Sequence, residues 1–247
     1  MSKLAIFSDV HGNRSAFEAF LQDAEAQGAD NYLCLGDHAG FGPQPSFCLE
    51  KLRDIDCPVI MGNADQRLLE PRKPADLMDK GEDAAIFEDI DEWCAQSITA
   101  EQKAFVETFL PYKEPEFGGL NILAYHGSPK SFNDLIVPET DNETLDAYFD
   151  GLEVDLYAGG HTHVQFIKRY HDKHLMNPGS VGLPYIIHKD GSTINFTVAE
   201  YALLELVSGQ LNVAFRRVVY DLEKLEQAVL SSDMPHQEHW LGDFKQA

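Results

Sequence analysis

The sequence predicts an α/β protein built around a largely parallel sheet. Residues 3–7, 32–35 and 58–61 are short apolar runs typical of buried strands, and the segments between them show helical periodicity. Each run ends in a polar cluster that contains glycine. Because strands that alternate with helices form parallel sheets, we expect the carboxyl ends of these strands to lie at one edge, where such sheets bind ligands.

Two helices are expected between these strands. Phe17, Phe20 and Ala24 share one helical face, and the following glycine suits the end of that helix. The second helix begins after the loop at residues 40–45, which is rich in glycine and proline, and it also carries regularly spaced apolar residues. Both helices are therefore amphipathic and are expected to pack on the sheet.

The strand pattern returns in the second half of the chain, and its last part alternates apolar and polar residues in the manner of antiparallel strands. Strands are expected at residues 120–125, 154–158, 164–170, 202–207 and 211–219, and helices at residues 140–149 and 222–230.

The hydrophobic pattern of the sequence changes between residues 66 and 110, where no strand-like run occurs and helical periodicity dominates. Thr99 and Gln102 have the spacing of a capping box at the start of a helix in this stretch. We interpret residues 66–110 as a helical insertion that forms a cap beside the site, within a single domain that spans residues 1–247.

Charge limits the partners that this chain is expected to bind. Its 41 acidic and 19 basic residues give a formal net charge of -22, which repels nucleic-acid polymers and anionic membranes. A small anionic substrate remains compatible with this charge if metal ions supply positive charge locally. We therefore expect a small phosphorylated substrate, with neither a membrane nor a nucleic-acid polymer as partner.

The first residues and the cysteines indicate the cellular compartment in which the protein is expected. The apolar run that opens the chain breaks at Ser8 and Asp9, which is too early for a signal peptide, so a cytoplasmic location is expected. The four cysteines show no CxxC spacing and are expected to be reduced, packed thiols rather than disulfides or zinc ligands.

The predicted strand ends carry the side chains that bind metals. Five clusters, AIFSDVHGN, LCLGDHAG, VIMGNAD, LAYHGSP and YAGGHTH, each follow an apolar run. A lone DxH or HxH pair is more often structural, but the recurrence of such clusters at successive strand ends indicates a metal site. The candidate ligands are Asp9, His11, Asp37, Asn63, His126, His161 and His163.

The ordered series DVHGN, GD, GN, HG and GHTH resembles the calcineurin-like metallophosphoesterase superfamily, and the resemblance covers nearly the whole chain. The segments GDHAGFGPQP, HGSP and NPGSVGLP are similar to those of small bacterial and archaeal phosphodiesterases and dinucleoside-polyphosphate hydrolases. The resemblance implies a four-layer α/β/β/α sandwich with two metal ions. One ion would be bound by Asp9, His11, Asp37 and His163, and the other by Asp37, Asn63, His126 and His161.

The expected reaction is hydrolysis of a phosphate ester or anhydride. Two divalent ions about 3.5 to 4 Å apart lower the pKa of a shared water enough for it to attack phosphorus near neutral pH. The mixture of carboxylate, amide and imidazole ligands suits manganese, iron, nickel, cobalt or zinc better than calcium, and manganese is favoured. Asp37 and Asn63 are the ligands to which a direct catalytic part is assigned.

One position departs from the family pattern. Many relatives have a histidine after the asparagine of the GN motif, where it contacts phosphate and helps to protonate the leaving group, but this chain has Ala64. Alanine can do neither, which favours phosphodiesters or phosphoanhydrides with good leaving groups. The alternatives are a phosphomonoesterase or protein phosphatase, and a non-catalytic scaffold on the same fold.

Three further residues are candidates for contact with substrate. His38 follows Asp37 and is a candidate general acid, with a loop or supporting histidine as the alternative. Asn13 and Arg14 stand where a helix begins and are candidate phosphate ligands, although Asn13 also suits a helix cap and Arg14 a surface position.

Two segments complete the set of candidates. The basic segment at residues 71–74 suits either a distal phosphate or a solvated turn. The turn at residues 177–180 is expected to support the site rather than to take part in catalysis.

Overall fold

Helices and strands alternate along the first part of the chain, as predicted. The computed structural model describes residues 2–71, 83–189, 193–242 and 244–245. The described helices are α1 (Arg14–Ala26), α2 (Pro45–Ile55), α3 (Asn63–Leu69), α4 (Asp83–Gln96), α5 (Ala100–Val106), α6 (Asn142–Phe149), α7 (Leu222–Ser231) and α8 (Gln237–Gly242). None of the helices in these ranges is long and apolar enough to cross a bilayer.

The strands form two large sheets and one small sheet. They are β1 (Lys3–Phe7), β2 (Asn31–Cys34), β3 (Tyr112–Lys113), β4 (Glu116–Phe117), β5 (Leu120–Tyr125), β6 (Leu156–Ala158), β7 (Phe166–Tyr170), β8 (Lys173–Asn177), β9 (Tyr185–Ile187), β10 (Thr193–Phe196), β11 (Val198–Val207), β12 (Gln210–Val219) and β13 (Phe244–Lys245).

The first sheet has the strand order β12-β11-β1-β2, so β1 is internal. It pairs in parallel with β2 and antiparallel with β11, where Ala5 lies beside Leu203. β11 and β12 are antiparallel over their full length, as predicted. The strand expected at residues 58–61 is reduced to a parallel bridge between Cys34 and Val59 and one between Ile60 and Leu110.

The second sheet contains the path β3-β5-β6-β8-β7, with β4 also paired to β5. β5, β6 and β8 are parallel, whereas β7 runs antiparallel to β8. Strand β8 was not predicted, because Lys173 and His174 open it and leave too short an apolar run to recognise. A third, smaller sheet has the order β13-β10-β9.

Successive side chains of β1 pack into two different hydrophobic cores. Ala5 and Phe7 belong to the core beneath the helices, whereas Leu4 and Ile6 belong to the core between the two large sheets. Successive side chains of a strand point to opposite faces, so an apolar run buried on both faces marks an inner strand. Burying one such large side chain stabilises the fold by about 1.5 to 3 kcal/mol.

The second sheet is covered on both faces in the same way. Ile122 of β5 lies in the core between the sheets, whereas the adjacent Leu123 packs with Leu145 and Phe149 of α6 on the outer face. The layers are therefore helix, sheet, sheet and helix. The predicted four-layer α/β/β/α sandwich is confirmed.

The described part of residues 66–110 is helical and packs on the main core. Ile90, Cys94 and Val106, on α4 and α5, belong to the same apolar cluster as Phe7. The amide of Met61 donates to the carbonyl of Leu110 at 2.7 Å, so the segment leaves and rejoins the first sheet at adjacent positions. Arg72 to Pro74 of the basic segment lie outside the described residues.

Candidate metal centre

The predicted ligands follow the carboxyl ends of strands in both large sheets. Asp9 and His11 follow β1, and Asp37 follows β2. Asn63 is the first residue of α3, directly after the bridges at Val59 and Ile60. In the second sheet, His126 follows β5, and His161 and His163 follow β6.

Five of these seven residues have left-handed backbone conformations. The φ angles are 55° at Asp9, 48° at His11, 52° at Asp37, 67° at His161 and 56° at His163. Such a conformation costs a residue other than glycine roughly 1 to 2 kcal/mol, so it persists only where neighbouring structure enforces it. Backbone strain is therefore concentrated in the turns that present the candidate ligands.

The side chains form two groups, in each of which the ligand atoms all lie within 4.8 Å of one another. In the first group, Nε2 of His163 is 3.1 Å from Oδ1 of Asp9 and 3.2 Å from Nε2 of His11. The second group comprises Asp37, His126 and His161. All of the predicted histidine and carboxylate ligands are therefore brought together.

Asp37 and Asn63 complete the arrangement. Oδ2 of Asp37 is 3.3 Å from Nε2 of His126 in its own group and 3.8 Å from Nε2 of His11 in the other. Oδ1 of Asn63 is 3.1 Å from the same nitrogen of His126. Asp37 thus lies between the groups, as a bridging carboxylate requires, and Asn63 joins the second group.

Backbone carbonyls orient three of the imidazoles. Nδ1 of His11 faces the carbonyl of Gly40 at 3.0 Å, and Nδ1 of His126 faces that of Leu35 at 2.8 Å. Nδ1 of His163 faces the carbonyl of Leu183 in the same way. Because a carbonyl only accepts, Nδ1 carries a proton and the ring presents Nε2 to the centre, which is how histidines are oriented around metal ions.

The centre favours positive charge. Burial lowers the pKa of His126, but the carboxylate of Asp37, the charge of Asp9 and the carbonyl of Leu35 together outweigh burial and raise that pKa to about 9. Oδ1 of Asp9 is buried and accepts no hydrogen bond from the part of the chain that the structure describes. Converging nitrogen lone pairs and a buried carboxylate oxygen without a donor fit divalent cations, which would be held by the seven predicted side chains.

The turn at residues 177–180 supports this centre, in line with the prediction. The side-chain amide of Asn177 donates to the carbonyl of Gly160, which precedes His161, at 2.7 Å. The hydroxyl of Ser180 donates to the carbonyl of Asp9 at 2.8 Å. The turn therefore joins the backbones of the two ligand-bearing loops.

Asp65, to which no role was assigned from the sequence, supports the loops that carry Asp37 and Asn63. Its carboxylate accepts hydrogen bonds from the amides of His38 at 2.8 Å, Ala39 at 3.3 Å and Gly62 at 3.2 Å. Burial, and then the negative charge of Asp37, raise the pKa of Asp65 to about 7. The signal in the sequence was an acidic residue two positions after a metal-binding asparagine.

The structure does not support His38 as a general acid. Its imidazole is fully buried, 4.8 Å from the ring of Phe17 between ring centroids, and Nε2 lies 2.9 Å from the carbonyl of Cys48. Burial lowers its pKa to about 4. The ring lies in the core under the helices rather than in the cavity lined by the candidate metal ligands. The alternative interpretation, a supporting histidine, therefore describes His38.

Asn13 and Arg14 also lie away from the ligands. The side chain of Asn13 is buried, caps α1 at the amide of Ala16, and donates to the carbonyl of Gly182 at 2.9 Å. Arg14 is an exposed residue that pairs with Glu18 at 2.9 Å. The structural alternatives that the sequence left open, a helix cap and a surface residue, describe these two positions.

The two groups of candidate ligands open into a cavity of about 690 Å³. Its lining includes Ala64, directly after Asn63, and Arg67 one turn further along α3. Four aromatic side chains also line it, namely Phe41, Phe87, Tyr185 and Trp240. The cavity therefore joins a polar, metal-binding part to an aromatic part.

Comparison with known proteins agrees with this geometry. Residues 2–206 match the model of the calcineurin-like phosphoesterase superfamily domain. The chain belongs to that superfamily. Its members are generally hydrolases that bind divalent metal ions, and the two groups of histidine and aspartate side chains are the candidate metal site of this one.

Three known proteins resemble the chain along nearly its full length. An uncharacterized protein of Methanocaldococcus jannaschii is 29% identical over 259 residues, covering 98% of this chain and 96% of that protein. A metallophosphoesterase from Sphaerobacter thermophilus has 25% identity and a TM-score of 0.74, with 98% of each chain covered. A hypothetical protein from Pyrococcus horikoshii, at 19% identity, shares the fold with a TM-score of 0.80, covering 98% of this chain and 97% of that chain.

Proposed function

We propose that this protein hydrolyses phosphodiesters or phosphoanhydrides of small organic molecules, nucleotides among them, with two divalent metal ions, preferably manganese. The observation that carries the proposal is the meeting of two ligand groups around Asp37 at a cavity in which Ala64 replaces the usual histidine. When bound, the ions supply an activated water and offset the charge of the phosphoryl group. The protein side chains position the ions and the phosphoryl group for this reaction.

The choice of diester or anhydride rests on the cavity lining. A monoester of an alcohol needs a proton donor for its leaving group. Anhydrides, and diesters with good leaving groups, depend less on such a donor. Ala64 cannot donate a proton, and His38 is buried away from the cavity. Both observations favour substrates whose leaving group departs unassisted.

The aromatic part of the cavity supports an organic group beside the phosphate. The ring of Phe41 contacts that of Phe87 at 5.1 Å between centroids, and the ring of Tyr185 lies 5.1 Å from that of His163. Aromatic side chains next to a phosphate site suit the flat rings of aryl groups and nucleobases. A substrate of this kind would place phosphorus at the ligands and its ring against these walls.

Hydrolysis assays with defined metals test the proposal. The chelated protein is loaded with manganese and assayed on aryl monoesters, aryl diesters and dinucleoside polyphosphates, with N63A as the damaged-site control. We expect diesters or anhydrides to be hydrolysed fastest and N63A to be slower by about 10²-fold. Less than one bound metal ion per chain, with no hydrolysis after manganese is added, would favour a non-catalytic scaffold instead.

A further inference from the structure

Arg67 lies on the same side of α3 as two residues of the candidate site. Asn63 precedes it by four positions and Ala64 by three, which places all three on one helical face. All three line the cavity, together with His161 and His163. The guanidinium of Arg67 therefore shares a cavity with the metal-binding groups.

A buried carboxylate lies beside this guanidinium at the distance of an ion pair. Oδ2 of Asp91, on α4, lies 3.6 Å from Nε of Arg67, and the Asp91 side chain is only 3% exposed. Both side chains line the cavity. A carboxylate buried to this extent needs a cationic partner, and in return it restricts the rotamers of that partner.

A paired arginine retains the capacity to bind phosphate. A guanidinium carries five N–H donors in a planar fork, so an arginine that is already paired can also bind phosphoryl oxygens. Within the described lining of the cavity, Arg67 is the one lysine or arginine. In a chain of formal charge -22, a fixed cation at this position is suited to attracting an anionic substrate.

We propose that Arg67 binds non-bridging phosphoryl oxygens of the substrate and that Asp91 positions its guanidinium for that contact. The assignment rests on the proposed function and deepens it, because it places a side chain of α3 on the substrate where Ala64 makes no polar contact. Arg67 is a substrate-binding residue in this proposal, and Asp91 acts only through Arg67.

Binding of inorganic phosphate to the manganese-loaded protein, measured by calorimetry, tests the contact without relying on hydrolysis. We expect R67Q to weaken phosphate binding by about tenfold or more, because a charge-assisted hydrogen bond is lost. R67K, which keeps the charge but not the fork, is expected to lie between R67Q and the wild type. R53Q is the matched control, since Arg53 forms an exposed pair with Glu101 at 2.8 Å.

A double-mutant cycle tests the role of Asp91. D91N is expected to weaken phosphate binding less than R67Q, and R67Q/D91N is expected to bind phosphate no more weakly than R67Q alone. With bis(4-nitrophenyl) phosphate as substrate, R67Q is expected to raise KM more than it lowers kcat. Equal and additive losses for the two single variants would contradict a positioning role.

Two results would overturn the proposal. If R67Q keeps wild-type phosphate affinity and KM while its melting temperature falls, the pair only joins α3 to α4. If R67Q does not fold, R67K decides the matter, and unchanged phosphate affinity in R67K counts against the contact. A protein that binds phosphate through Arg67 but hydrolyses no ester retains this contact and loses only the proposed function.

Discussion

The indole Nε1 of Trp240 donates a hydrogen bond to the carbonyl of Phe41, 3.1 Å away. Phe41 stands in the loop that follows Asp37 and has a φ of 68°, so this contact joins α8 to a strained loop beside the metal-binding groups. Trp240 lies beyond residues 2–206, which match the family model, yet it lines the same cavity as the ligands. Helix α8 thus forms part of the wall of the cavity that the candidate ligands line.

Removing that hydrogen bond is expected to weaken both the fold and substrate binding. W240F keeps an aromatic ring but loses the N–H donor, so we expect the free energy of unfolding to fall by about 1 kcal/mol and KM for an aryl diester to rise. Urea titration and steady-state kinetics measure the two effects. W93F is the matched control, because Trp93 donates at the surface to Asp233, and a similar rise of KM in W93F would contradict the assignment.

Metal removal is expected to lower stability through the loss of a ligand that binds only the folded state. At a manganese concentration 100 times the dissociation constant, binding adds about 2.7 kcal/mol to the free energy of unfolding. Thermal melts with and without chelator measure this difference. H126A is expected to abolish most of it, whereas H171A, at an exposed residue paired with Asp146, is expected to preserve it.

Restoring an acid at position 64 is expected to broaden the substrate range. A64H places an imidazole in the cavity next to Asn63, where it can protonate a leaving group. We expect kcat/KM for alkyl phosphomonoesters to rise by about tenfold or more relative to that for 4-nitrophenyl diesters. A64N is the control, since an amide cannot act as an acid. Equal changes in A64H and A64N would show that the effect is steric.

His38 is expected to make the fold sensitive to acid. Burial lowers its pKa to about 4, whereas an unfolded histidine titrates near 6.5, so protonation favours the unfolded state. The stability associated with neutral His38 is fully present above pH 6.5 and is lost as the pH falls towards 4. Between pH 7 and pH 4.5 this loss amounts to about 2 to 3 kcal/mol.

The experiment compares wild type and H38Q by urea titration at both pH values in the presence of chelator. The metal-binding side chains titrate in both proteins, so their contribution cancels in the difference. We expect the wild type to lose more stability than H38Q by about 2 kcal/mol. An identical loss in the two proteins would show that His38 does not cause the acid sensitivity.

The grouping of the candidate ligands was predictable because each follows an apolar run that is itself easy to recognise. Residues 3–7 and 120–125 coincide with β1 and β5, and the polar residues after them reach the centre directly. His38 shows the limit of this reasoning. It is adjacent to Asp37, but the left-handed backbone at Asp37 turns the next side chain into the core, and adjacency in sequence carries no information about that turn.

The cavity walls were less predictable than its ligands for a related reason. Phe87, Tyr185 and Trp240 come from three separate parts of the chain, and nothing in their local sequences indicates that they face one space. They meet because the sandwich brings α4, β9 and α8 to the edge where the strands end. Only the tertiary structure determines which aromatic residues surround the substrate and which fill the core.

The internal position of β1 has a consequence for the order in which the protein folds. Ala5 pairs with Leu203, so β1, which precedes Asp9 and His11, pairs with a strand from the last quarter of the chain. Contacts between residues so distant in sequence form slowly, because a large loop must close before they contribute any energy. On the ribosome, a chain that has not yet reached β11 cannot complete this sheet, and we expect it to acquire its metal ions only after synthesis has passed that strand.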